Sequence, residues 1–217
     1  MALPSIAPYR VPDENELPAN RVDWKPEAHR AVLLIHDMER HFVDAFPHDQ
    51  EPLSQVVPNI RALRETARNA GVPVVYCAQP SGQTPEQRGL QLEWWGPGFQ
   101  DTTQETIIDE LTPDAGEMTM TKWRYSAFQR TDLREKLREW GRDQLLITGI
   151  YAHIGCLMTA AEAFQQEVRA FLVADGVADF SLEDHRMALS YAAKRCGVVD
   201  STRHLAQALE TGGSAVA

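Results

Sequence analysis

The chain has 217 residues, 43% of them hydrophobic, with a formal net charge of −10 and a pI near 5.1. That length suits one sizeable core and is short for two domains. The acidic balance argues against nucleic acid or an anionic membrane as a partner, and no run approaches the ~18 apolar residues a membrane span requires.

Residues 1–26 hold Pro4, Pro8, Pro12, Pro18 and Pro26 and read as an extended arm, lying along the domain or a neighbouring subunit. With no basic region and no apolar core, this arm is not a signal peptide. Next comes AVLLIHDMERHF, in which Ala31 to Ile35 is a continuous apolar run suited to a strand buried on both faces. His36 and Asp37 follow at its carboxyl end, where open α/β sheets hold their ligands. Ser54 to Gly71 has helical spacing and Gly71 as its stop. Val72 to Cys77 is a second buried strand, leading into a long loop from Ala78 to Thr103 that contains QRG and WWGPG.

Thr106 to Leu111 reads as a short helix and Glu117 to Thr121 as a third strand ending at Lys122. Thr131, a plausible N-cap, opens a helix to Trp140. Gln144 to Thr148 is a fourth buried strand, followed by a helix from about Gly155 to Gln166. Val168 to Ala174 is a fifth strand. Leu182 to Arg195 is a helix capped by Ser181, with Glu183 and Asp184 suiting its first turn. Val198 to Asp200 is a last strand and Thr202 to Leu209 a last helix, ahead of a loose tail over 211–217. The alternation predicts one domain over 1–217: a Rossmann-like α/β/α sandwich on a mostly parallel sheet of about six strands.

Asp37, Lys122 and the Tyr151 to Cys156 turn stand at three strand ends that converge on one crevice in such a sheet. Each has a plainer reading: Asp37 as a turn cap, Lys122 as a solvated lysine, Cys156 as a small buried hydrophobe. The KWRYSAF stretch weighs against a solvated Lys122, because it surrounds two cations with Trp123, Tyr125 and Phe128. The helix beginning near Gly155 offers backbone N–H groups to an anion, and Gly155 admits close approach. Cys77, Cys156 and Cys196 form no disulfide framework or zinc motif, which points to a reducing cytoplasm. His36 and His41, five apart, are poorly spaced as metal ligands, and His153 reads as a packed turn histidine.

The order HDM, AQP, QRG, WGPG, TKWRYSAF, GIYAHIG, VADGVADFS and HRMALSYAA resembles the isochorismatase family over nearly the whole chain. The amidases of the broader cysteine-hydrolase superfamily carry Asp, Lys and a nucleophilic Cys at the three strand ends. Aligned on Gly149 and Thr159, this chain has Gly155 in the nucleophile's place and Cys156 one position late. One residue is about 100° around a helix, so Cys156 should point inward. The resemblance is therefore to the members that lack the thiol, similar to isochorismatases and their phenazine-pathway relatives.

What the resemblance implies is hydrolysis of an enolpyruvyl vinyl ether on a small, anionic, chorismate-derived substrate, with release of pyruvate and no cofactor. Asp37, Lys122 and Gly155 match its catalytic positions. Gln79, Arg88, Tyr151 and the Gly155 backbone match those that hold carboxylates and ring, and Phe42, Trp94, Trp95 and Tyr125 would wall the ring. The nicotinamidase-like metal ligands beyond the second strand are replaced here by AQPSGQ, so no metal is implied. The chain ends without a carrier domain; QRG and HRMALSYAA look closer to the phenazine type and GIYAHIGC to the siderophore type, and the expectation leans to 2-amino-2-deoxyisochorismate over isochorismate. A homodimer is the expected assembly. A thiol-dependent amidase and a non-catalytic module docking a carrier protein are the competing readings.

Overall fold

The computed structural model describes residues 3–212. Six strands form one sheet in the order β3-β2-β1-β4-β5-β6, with every pairing parallel. In chain order these are β1 (Ala31–His36), β2 (Val74–Ala78), β3 (Met118–Thr121), β4 (Gln144–Ile150), β5 (Arg169–Ala178) and β6 (Gly197–Asp200). The helices are α1 (Arg40–Val43), α2 (Leu53–Asn69), α3 (Pro85–Arg88), α4 (Leu90–Trp95), α5 (Leu133–Glu139), α6 (Leu157–Gln165), α7 (Leu182–Arg195) and α8 (Thr202–Gly212).

Every residue of β1 and β4 is buried, as a strand covered on both faces requires. One core packs α2 and α8 onto the sheet through Ile60, Leu63, Leu205 and Leu209. The other packs α5, α6 and α7 through Leu137, Ala160 and Ala192. The strand order reverses between β1 and β4, and at such a switch point the helices leave to opposite faces and open a crevice.

The arm lies on its own domain. Ile6 and Val11 are buried, the Ile6 and Tyr9 amides donate to Ala45 and Glu51 carbonyls, and Leu3 and Pro4 reach the crevice. Ser181 caps α7 by accepting from the Asp184 amide, over the bounds its sequence predicts. Several elements depart from expectation. The 78–103 stretch contains two short helices, α3 and α4, the first begun by a Thr84–Gln87 capping box. The 106–111 stretch is a bridge from Ile107 to Glu39 followed by one 3₁₀ turn. Asp132 rather than Thr131 is the α5 N-cap residue. A π-turn, Ala152–Cys156, precedes α6. Thr211 and Gly212 belong to α8, and the rest of the expected tail, 213–217, lies outside the described residues.

Candidate active site

Asp37 leaves β1 with φ of 50°, a left-handed turn that a short polar side chain tolerates better than most. Its amide donates to the Cys77 carbonyl at 3.0 Å, which prolongs the β1–β2 ladder by one bond. Lys122 leaves β3 in the same way, its amide donating to the Ala78 carbonyl at 2.8 Å. The two side chains meet, with Nζ 2.8 Å from Asp37 Oδ2. Asp37 is 6% exposed and Lys122 1%. Burial alone would depress the ammonium, but the charge of Asp37 beside it reverses the effect and raises it. Lys122 donates also to the Arg124 carbonyl, at 2.8 Å. Asp37 Oδ1 is buried and has no hydrogen-bond partner.

These groups form the floor of a pocket lined mainly by aromatic and polar side chains. Gln79, Arg88, Phe42, Tyr125, Tyr151 and Gly155 all line it, as the sequence predicts. Arg88 is buried, with Nε donating to the Gly96 carbonyl at 2.9 Å and Nη1 to Gln79 Oε1 at 3.2 Å. Among the described residues no carboxylate pairs with it, and burial lowers its pKa. A guanidinium held by neutral oxygens keeps its full charge and its planar fork, the geometry that suits a carboxylate.

Tyr151 contributes its ring rather than its hydroxyl. The hydroxyl donates to the Phe42 carbonyl at 3.2 Å, and the ring stacks on Phe180 with centroids 4.1 Å apart. Tyr125 is fixed by the Trp95 indole, whose Nε1 donates to its hydroxyl at 2.6 Å. Trp94 corrects an expectation. It is 78% exposed and faces a separate groove with Leu90 and Met158, while its neighbour Trp95 lines the pocket. Adjacent residues on a helix point about 100° apart, so α4 can aim only one of the two inward.

Gly155 is required for a reason its sequence did not suggest. A Cβ there would lie 2.0 Å from Cε1 of His36, whose ring fills the space. His36 is fully buried, with Nδ1 2.9 Å from the Ile150 carbonyl and Nε2 3.2 Å from the Tyr125 carbonyl. The π-turn amides are partly spent: Ile154 and Cys156 close back on the Tyr151 carbonyl, and His153 donates to Asp179. Cys156 is fully buried, its Sγ 3.8 Å from the Thr148 carbonyl, and burial pushes its thiol well above the ordinary range. It does not line the pocket.

Two groups of potential metal ligands have atoms within 4.8 Å of one another: His36, Asp37 and Cys77, and His153, Asp179 and Asp184. In the first, Asp37 is engaged by Lys122 and both His36 nitrogens face carbonyls. In the second, His153 Nδ1 pairs with Asp179 Oδ1 at 2.7 Å. Sequence reasoning missed His41, Phe99 and Phe180 in the wall, and Glu39 behind the floor. Only Glu39 left a signal, a second acidic residue two positions past a buried strand's aspartate.

The fold is α/β with its candidate site at the sheet's switch point, and the relatives named next make it an enzyme of the hydrolase type. The Isochorismatase domain model matches residues 31–204, and the chain belongs to that family. Isochorismatase of Bacillus subtilis (strain 168) is 52% identical over 211 residues, 97% of this chain and 68% of its own length. Phenazine biosynthesis protein PhzD of Pseudomonas fluorescens is 46% identical, over 92% of this chain and 96% of its own. Among solved structures, a cysteine hydrolase from Pseudomonas syringae pv. phaseolicola 1448A superimposes with a TM-score of 0.78 at 22% identity. It covers 90% of this chain and 98% of its own and shares the fold. No helix among the described residues is long and apolar enough to cross a membrane.

Proposed function

We propose that the protein hydrolyses the enolpyruvyl vinyl ether of isochorismate or of its 2-amino-2-deoxy analogue, releasing pyruvate. The observation that carries this reading is Asp37: one oxygen is tied to Lys122 and the other is unpartnered at the floor of a pocket walled by aromatic rings. A vinyl ether has no acyl carbon to attack, so its slow step is protonation of the terminal methylene carbon. The Asp37 carboxyl supplies that proton. Water then adds to the oxocarbenium ion and the hemiketal collapses to pyruvate and a ring alcohol. Arg88 clamps one carboxylate, Lys122 holds Asp37 and faces the other, and Phe42, Tyr125 and Tyr151 flank the ring.

A thiol mechanism is not favoured, because Cys156 faces the Thr148 carbonyl in the core and the His36 ring occupies the nucleophile's place at Gly155. The motifs lean to the amino substrate. Greater identity to an isochorismatase, 52% against 46%, favours the hydroxyl one, and we adopt it. A homodimer belongs to the same proposal, supported by the exposed Leu90, Trp94 and Met158 along one groove, and light scattering tests it. The deciding assay is pyruvate release from the two substrates. Turnover of isochorismate is expected to exceed that of the amino analogue, and turnover of neither overturns the reading.

A further inference from the structure

Glu39 has no role in the account above, yet it is the fully buried acid nearest in sequence to Asp37. Its backbone is pinned by the bridge to Ile107. Its Oε1 accepts the Gln79 amide at 2.5 Å, while Oε2 is buried with no partner. Gln79 in turn holds Arg88 Nη1, so Glu39 reaches the anion clamp through one intermediary. The other unpartnered carboxyl oxygen of this floor is Asp37 Oδ1.

The charges around Glu39 do not balance if both acids are ionised. Lys122 is committed to Asp37 and the Arg124 carbonyl. The further titratable groups that act on Glu39, Cys77 and Tyr151, are neutral, each pushed up by burial. On its own element, Arg40 is paired with Asp109, and burial keeps His41 low. Arg88, the other buried cation of the site, reaches Glu39 only through Gln79, so one ammonium directly serves two buried carboxyl groups, and an uncompensated buried carboxylate is costly. A proton on Glu39 removes that cost and turns Oε2 from an orphaned acceptor into a donor. Burial first, then the charge of Asp37, pushes this carboxyl well above the ordinary range, in the same direction.

We infer that Glu39 is a positioning residue kept as a neutral carboxylic acid, which fixes Gln79 and through it Arg88 without setting a second negative charge against an incoming anion. This rests on the reading that an anionic ligand enters the pocket. Its first test needs no ligand. Glu39→Gln keeps the acceptor for the Gln79 amide and the volume, but cannot ionise.

In the infrared spectrum of the ligand-free protein at neutral pH, the carbonyl stretch of a protonated carboxyl should be present and lost in Glu39→Gln. Stability gives a second readout. A carboxyl whose folded-state pKa is raised loses its stabilising contribution as pH climbs from its unfolded value, about 4.3, through the folded one. The melting temperature of the wild type should therefore fall relative to Glu39→Gln as pH rises above the unfolded value. Identical spectra, or parallel stability curves, would overturn the inference and leave the proposed reaction untouched.

With isochorismate, the wild-type KM should climb with pH relative to that of Glu39→Gln, by up to about tenfold per pH unit once Glu39 ionises, because any pH dependence from the rest of the site is common to both. Glu39→Leu, which removes the acceptor too, should raise KM at every pH. A purely structural Glu39 would give Glu39→Gln the wild-type pH profile, and that outcome sinks the proposal.

Discussion

The floor and the wall of the pocket both bury cations, but they treat them oppositely. On the floor, Lys122 lies 2.8 Å from Asp37, so its charge is met inside the protein. In the wall, Arg88 is held only by Gln79 and the Gly96 carbonyl. A neutralised pair exerts little pull on a distant anion and suits a proton-transfer step, whereas an uncompensated guanidinium gains most when a carboxylate arrives. Under the proposed function the difference would separate turnover from binding, and mutation of each region should separate them in the same way.

The largest expected effect is at the floor. Asp37→Ala should lower kcat by roughly 10²–10⁴-fold, the usual worth of a positioned acid, with KM little changed. Retention of a tenth of wild-type turnover would remove Asp37 from the role. Next comes Gly155→Ala, whose new Cβ meets the His36 ring at 2.0 Å. Overpacking of this kind costs about 1–3 kcal/mol, and thermal unfolding should show it together with a drop in turnover. An unchanged melting temperature would mean that His36 moves aside freely.

At the wall, Arg88→Ala should raise KM by about tenfold or more, the loss of one charge-assisted bond worth about 1.5–3 kcal/mol, and leave kcat nearly intact. Steady-state kinetics showing the reverse split would collapse the distinction between wall and floor. The smallest effect belongs to Cys156→Ala, with activity within about twofold of wild type and about 1 kcal/mol of stability lost to a small cavity. A covalent adduct on its sulfur during turnover would restore the thiol mechanism.

The sequence made the floor legible because strands encode it. Ala31 to Ile35 could only be a strand buried on both faces, so Asp37 had to emerge at its carboxyl end, and Lys122 followed from the next strand but one. The Ser181 cap and the acidic first turn at Glu183 and Asp184 located α7 for the same local reasons. The wall was less legible. Its residues come from a stretch that reads as loop, where the facing of Trp94 and Trp95 depends on two one- or two-turn helices set by packing on Arg88 and Tyr125. The occupation of Gly155's space by His36 joins residues 119 apart in sequence, and no local pattern announces a contact of that kind.

The course of the arm has a practical consequence for handling the protein. Leu3 and Pro4 sit in the pocket lining, so bulk added at these two residues would crowd the space a ligand needs. Thr211 is placed differently: it shares a groove with Lys25 and Glu27, and the Lys25 carbonyl accepts from Gln144, the first residue of β4, at the end of the strands opposite the pocket. A label attached at Thr211 therefore stays clear of the ligand's space.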